Sequence, residues 1–211
     1  MKNRFNLLLA IALLAFSALS TAEVTVYANV MYIELRANNP KDLLNKLKIV
    51  KSPIMGDAYA WVHSNNQNHT TYTTSDKGCK LHSFDTELDI TITLPRWVNV
   101  KERSDKHQKW WKLLIEFITV HENSHKKIII EATEDFQRAA KTIGMQANCD
   151  EVKNRYSKLK NKHAMQIRSR DHKLDFKDGG RMRIKDFLFI DALPRPPKIQ
   201  NEDKVEDKNR H

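Results

Sequence analysis

A stretch of 40 residues, 104–143, contains neither glycine nor proline, and its apolar residues recur at helical spacing. This recurrence predicts one long amphipathic helix, which Gly144 is placed to end. Two histidines lie in line with the apolar positions, on the side of the helix that faces the core. The predicted stripe consists of Trp111, Leu114, Ile118, His121, His125, Ile128 or Ile129, Ala132, Phe136, Ala139 and Ile143.

The two histidines belong to an H-E-x-x-H motif at residues 121–125. Four residues nearly complete a helical turn, so both imidazoles point the same way and can reach one metal ion. Glu122 is placed to take a proton from a water on that metal. Two imidazoles and a carboxylate facing a core are costly to desolvate without a partner, which a metal would supply. The motif therefore predicts Zn²⁺ on His121 and His125, with Glu122 as general base of a peptidase.

A catalytic zinc site needs a third protein ligand, and the sequence offers several. Glu131, six residues after the second histidine, could reach the metal only if the helix broke. The three isoleucines at 128–130 favour an unbroken helix, which leaves Glu131 on the surface. The third ligand is therefore expected from a second helix.

That second helix is predicted at about residues 150–170, with a stripe that includes Val152, Tyr156, Leu159, His163 and Ile167. An antiparallel hairpin turning near residue 147 would place residues 173 and 169 level with the two motif histidines. The candidates are then Asp171 first, His172 as the alternative, and Asp175 third. His163 would lie on the order of 12 Å from the metal at 1.5 Å per residue, so it is expected to be a core or interface histidine.

The first half of the chain reads as a small sheet with one helix. Strands are predicted at residues 23–35, 57–64 and 88–94, with a short helix after Pro40 and a polar loop at 65–77, which could hold an exposed strand at 70–74. A further short strand is expected within residues 181–190. The predicted fold class is α+β: a small antiparallel sheet packed on a long helical hairpin that carries the H-E-x-x-H motif.

The chain begins with features of a signal peptide. Lys2 and Arg4 precede an apolar run at residues 5–19, and Ser20-Thr21-Ala22 predicts cleavage after Ala22. The run is short for a membrane span, and no later stretch is long and apolar enough to cross a bilayer. We expect residues 1–22 to be a signal peptide, residues 23–191 a secreted or periplasmic domain, and residues 192–211 a disordered charged tail.

The two cysteines, Cys79 and Cys149, are the only pair available in the chain. In an exported protein such a pair predicts a disulfide. The bond would close a loop of about 70 residues, worth about 4 kcal/mol in the chain-entropy model.

The formal net charge is +10, and removing Lys2 and Arg4 leaves +8. A basic surface favours anionic cell-envelope components as partners, besides a peptide or protein substrate. Lysine and arginine are spread along the whole chain without a nucleic-acid-binding motif, so no specific nucleic acid is expected.

Three segments resemble the bacterial family of predicted secreted zinc-dependent proteases, a domain of otherwise unknown function. They are YANVMYIELRANNPKDLLNKL (27–47), GCKLHSFDTELDITITLPRW (78–97) and HENSHKK (121–127). The resemblance covers about residues 24–180 and implies the fold and export of that family. After the second helix the family pattern is Tyr-Asp-x-x-Thr-x-His-Gly, of which this chain keeps only Asp171.

Two other interpretations of the motif remain open. Both histidines could be hydrogen-bonded interface residues with no metal. Alternatively, the chain could be a non-catalytic envelope protein that uses the same helix for a structural metal or none, and binds an anionic surface component through its positive charge.

Overall fold

The computed structural model describes residues 24–49 and 59–177. The predicted α+β class is confirmed: a three-stranded sheet packs against two long helices, and a short helix completes the core. In chain order the elements are β1 (Val24–Leu35), α1 (Pro40–Ile49), β2 (Trp61–Ser75), β3 (Gly78–Trp97), a 3₁₀ turn (Val100–Glu102), α2 (Asp105–Lys141) and α3 (Cys149–Lys177).

The sheet has the strand order β1-β3-β2 and is mixed, whereas the sequence predicted an antiparallel one. β2 and β3 form an antiparallel hairpin, but β1 runs parallel to β3, from Val24 opposite Thr86 to Leu35 opposite Trp97. β3 lies between the other two strands, and its inward side chains are the most apolar and buried of the three strands. Alternation within each strand marks its buried face, but it does not encode which neighbour the strand takes.

β2 corrects the predicted loop at residues 65–77, because the strand continues to Ser75 and includes the expected exposed segment at 70–74. Its asparagines have low strand propensity, but its threonines favour a strand, and β2 pairs with β3 along its whole length. Gly78 follows the turn with φ of +123°, and a Cβ there would collide with the carbonyl of Gln146. Glycine is therefore required where the hairpin meets the loop between α2 and α3.

α2 confirms the predicted long helix and crosses the sheet antiparallel to β3. At one end Trp110 and Trp111 pack edge-on against Trp97, with ring centroids 6.4 and 6.1 Å apart. At the other end Phe136 packs against Phe84, with centroids 5.3 Å apart. Since both ends of the helix are fixed, the H-E-x-x-H motif lies level with the middle of β3.

α3 packs along α2 and extends seven residues beyond the predicted end at residue 170. The predicted disulfide is confirmed: Cys149, at the first position of α3, is bonded to Cys79 in β3. Beside that bond, the backbone N–H and C=O of Cys79 both hydrogen-bond to Gln146. These contacts fix the start of α3 relative to the sheet.

Several predictions concern parts of the chain outside the described residues. They are the signal peptide at 1–22, the start of the second strand at 57–58, the short strand at 181–190 and the tail at 192–211. Within residues 24–49 and 59–177, none of the helices combines the length and apolar character that a membrane span requires.

Candidate metal centre

α2 places the three motif side chains on its inward side, where the two histidines contact α3. Glu122 and His125 are buried, with 5% and 8% of their surfaces exposed, and His121 is half-buried beside them. The opposite side of the same turn is polar and exposed, with Asn123 donating a hydrogen bond to the backbone of Thr119. The helix is therefore amphipathic here too, but its inward face carries titratable groups.

α3 brings two carboxylates to these histidines. Asp171 and Asp175 are four residues apart, so they share one face of α3, as the histidines share one face of α2. Asp171 Oδ1 lies 2.9 Å from Nδ1 of His125. Asp175 Oδ1 lies 3.0 Å from Nε2 of His125 and 3.3 Å from Nε2 of His121. The antiparallel helices thus oppose two pairs of titratable residues with the same spacing.

Three donor atoms form a compact triangle, namely the two Nε2 atoms and Asp175 Oδ1. Two sides of the triangle are the distances from Asp175 Oδ1 to the two Nε2 atoms given above. The third side, between Nε2 of His121 and Nε2 of His125, is 3.1 Å long. Ligands of a tetrahedral zinc ion lie about 3.3 Å apart, given zinc–ligand distances of about 2.0–2.1 Å. The triangle therefore fits a tetrahedral zinc ion, and two imidazoles with a carboxylate are donors that zinc accepts. The side chain of Asp175 is 36% exposed, so the triangle is open to solvent at that ligand.

The environment shifts the pKa values of the two buried groups. Burial raises the pKa of Glu122 above its usual value, against the opposing charges of His121 and His125. For His125, burial alone would lower the pKa, but the hydrogen bond and charge of Asp171, with Asp175 and Glu122, outweigh it and hold the pKa above its usual value. A concentration of negative charge around the histidines causes the second shift, and it would also attract a cation.

The three candidates for the third ligand lie at different positions around the histidines. Asp171, the first choice from the sequence, contacts the outer nitrogen of His125, while Asp175, the third choice, completes the donor triangle. His172, the alternative, is exposed and outside the triangle. The signal that could have found Asp175 is the D-x-x-x-D spacing of 171–175, which mirrors the H-x-x-x-H of α2.

His163 and Glu131, which were not predicted to be metal ligands, lie at the predicted interface and surface positions. His163 is buried in the interface of α2 and α3, its ring 5.0 Å from that of Phe136. Glu131 is exposed, 3.9 Å from Lys127 and 4.0 Å from Arg170 across to α3. Neither residue belongs to the group among the described residues that could hold a metal ion.

The chain matches, over residues 30–181, a family described as "Bacterial protein of unknown function (DUF922)". The chain belongs to this family. The matched region contains α2, α3 and both pairs of candidate metal-site residues. No curated protein and no solved structure matches the chain.

Proposed function

We propose that this member of the family is an exported zinc-dependent metallopeptidase. The observation that carries the proposal is the triangle of Nε2 atoms and Asp175 Oδ1, whose sides of 3.0–3.3 Å suit one zinc ion. The H-E-x-x-H sequence adds a carboxylate next to the first ligand, which is the arrangement that zinc peptidases use for a general base.

His121, His125 and Asp175 would hold the metal, leaving a fourth position for water or substrate. When bound, zinc would supply Lewis-acid catalysis by polarising the scissile carbonyl and lowering the pKa of the attacking water. The partly exposed side of the triangle, at Asp175, is where an extended peptide can approach.

Glu122 is the proposed general base. It takes a proton from the attacking water and passes it to the leaving amine, which needs a carboxyl group that can both accept and release a proton. Burial raises the pKa of this carboxyl group, so its conjugate base is a better proton acceptor than an exposed carboxylate. Lys126 and Lys127, which follow the motif, are proposed as electrostatic contacts to the substrate.

Asp171 is the proposed positioning residue for His125. Its carboxylate accepts a hydrogen bond from Nδ1–H of His125, which leaves Nε2 with its lone pair toward Asp175 and His121. A carboxylate in this place fixes both the tautomer and the orientation of the ring, and it increases the basicity of the ligand nitrogen.

Export is supported by the disulfide between Cys79 and Cys149, because such bonds persist in oxidising compartments. The predicted signal peptide agrees with a secreted or periplasmic protein. The positive net charge favours a substrate presented at an anionic envelope surface.

A non-catalytic protein with a structural metal is the competing function. The burial of Glu122 favours it, because a general base must meet the attacking water, whereas a buried carboxyl group can simply support the ligands. Both functions require the same triangle, so metal binding alone does not separate them.

Hydrolysis assays with Glu122→Gln separate the two functions. Zinc-loaded wild-type protein is expected to cleave casein or cell-wall peptides, and the variant to lose about 10²–10⁴-fold in rate while it keeps its zinc. Glu116→Gln, an exposed glutamate on the same helix, is the matched control and should retain full activity. Stoichiometric zinc without any hydrolysis would favour the structural function, and equal rates for wild type and Glu122→Gln would refute the assigned base.

A further inference from the structure

β1 lies at one edge of the sheet, and no strand among residues 24–49 and 59–177 pairs with its outer side. Six consecutive residues, 27–32, are exposed, which means that both faces of the strand are uncovered there. Four of them are large and apolar: Met31 is 60% exposed, Tyr27 52%, Val30 50% and Tyr32 47%. Alternate backbone N–H and C=O groups of such a strand point outward, away from β3.

The opposite edge of the sheet, β2, differs in chemistry. Its sequence, WVHSNNQNHTTYTTS, is dominated by Asn, Thr, Ser and His, and its exposed positions are polar. By contrast, residues 24–33 of β1 contain no charged residue. Natural edge strands are usually protected by charges, prolines or bulges, and a long apolar edge without them is a template for another strand.

We infer that β1 is a dimer interface, at which a second copy of this chain pairs antiparallel with β1 about a two-fold axis at Asn29. The pairing would join two sheets into one of six strands, in the order β2-β3-β1-β1-β3-β2. It is an isologous contact, in which the same strand serves both subunits.

The side chains of β1 are self-complementary in this register. Tyr27 of each copy opposes Met31 of the other, which allows a favourable sulfur–aromatic contact. Ala28 opposes Val30 on the other face, and Asn29 opposes its own copy, where the two amides can hydrogen-bond. Every polar side chain in the central part thus meets a polar one, and every apolar side chain meets an apolar one.

The charges of the chain permit this contact. A net charge of +10 makes two copies repel at long range, but the ten residues 24–33 bring no charge into the contact. Glu34 lies beyond the central pairs and is engaged with Arg96, whose guanidinium group covers the ring of Tyr32. Like charges therefore do not oppose each other across the axis. This inference is independent of the metal centre.

Sedimentation equilibrium of the full chain tests the interface, with variants that introduce a positive or a negative charge at Asn29. Wild type is expected to sediment with twice the mass of one chain. Asn29→Lys and Asn29→Glu each place two like charges directly opposite across the interface, so each alone should weaken the dimer about tenfold or more. An equimolar mixture of the two variants should restore the dimer, because opposite charges then meet at the axis.

Asn65→Lys is the matched control, since it makes the same change at an exposed asparagine of β2, the other edge. It should leave the wild-type mass unchanged. A wild-type chain that stays monomeric would overturn the inference, and the edge would then be covered by another part of the chain or serve a different protein. A dimer that persists in Asn29→Lys and Asn29→Glu alone would also overturn it, because the contact would lie elsewhere.

Discussion

Two histidines on the pair of long helices are almost equally buried but have opposite electrostatic environments. His163 is 7% exposed and His125 is 8% exposed. His163 packs against Phe136, and burial lowers its pKa, with only a weak opposing effect from the charge of Asp135. For His125 burial acts in the same direction, but the carboxylates of Asp171, Asp175 and Glu122 reverse it and raise the pKa.

The difference separates the helix pair into two halves. The apolar half, near the disulfide, contains Phe136, Tyr156, Leu159 and His163, and its packing with Phe84 needs no ligand. The polar half contains His121, Glu122, His125, Asp171 and Asp175, where three carboxylates surround two histidines. The apolar half holds the helices together. The polar half needs a bound proton or cation to compensate the negative charge of its carboxylates. One helical hairpin can therefore combine a stable core with a candidate metal centre.

The largest expected effect comes from breaking the apolar half at its covalent link. Replacing Cys79 and Cys149 together by serine should lower the free energy of unfolding by about 4 kcal/mol, because the unfolded chain loses a loop constraint of about 70 residues. Urea unfolding of wild type and the double variant measures this. The folded variant should still bind zinc, since the polar half is unchanged, and an unaltered unfolding midpoint would contradict the prediction.

The next effect concerns the polar half alone. Asp171→Asn should weaken zinc binding about 10–100-fold, because the ring of His125 loses the carboxylate that orients it and increases its basicity. Competition with a chromophoric chelator measures the affinity. Asp135→Asn is the control, since Asp135 also joins α2 to α3, through Arg170, but lies outside the candidate metal centre. Equal losses in the two variants would show that Asp171 acts only by holding the helices together.

The smallest expected effect is on the free energy of unfolding of the metal-free protein. His163 and His125 should change it with pH in opposite directions. The folded pKa of His163 is lowered, so its contribution to stability is present above the unfolded value of about 6.5 and is lost as pH falls below it. The folded pKa of His125 is raised, so its contribution is fully present below about 6.5 and is lost as pH rises through the folded pKa.

Between about pH 7.5 and 5.5, His163→Leu should therefore gain stability relative to wild type, and His125→Asn should lose it. The prediction is the sign of each difference, which follows from the direction of the corresponding pKa shift. Urea unfolding in the presence of a chelator, at several pH values, measures both. Shifts of the same sign in the two variants would mean that the two halves do not differ electrostatically.

The sequence predicted those parts of the molecule that depend on local pattern. The absence of glycine and proline over residues 104–143 marked α2, and the spacing of His121 and His125 marked the inward face of the site. The two cysteines predicted the disulfide, because no other pairing is available in the chain. Each of these inferences needs only neighbouring residues or a count.

The predictions that were wrong concern the register between parts of the chain that are distant in sequence. A hairpin turning near residue 147 paired His121 with residue 173, whereas the structure pairs it with Asp175, a difference of two residues or about 3 Å along the helix. That distance determines whether Asp171 or Asp175 lies beside the two Nε2 atoms as the third candidate ligand. The start of α3 is fixed by the disulfide to Cys79 and by the Gln146 bridge, both of which join distant parts of the chain. The parallel pairing of β1 was missed for the same reason.

Zinc content is the most direct test of the central claim, that His121, His125 and Asp175 hold one metal ion. Elemental analysis of wild-type protein, purified after export without chelators, is predicted to give about one zinc per chain. His121→Ala and Asp175→Ala should contain little or none, while Asp135→Asn matches wild type. Wild-type protein that contains no zinc, and whose unfolding midpoint does not change when zinc is added, would contradict the account.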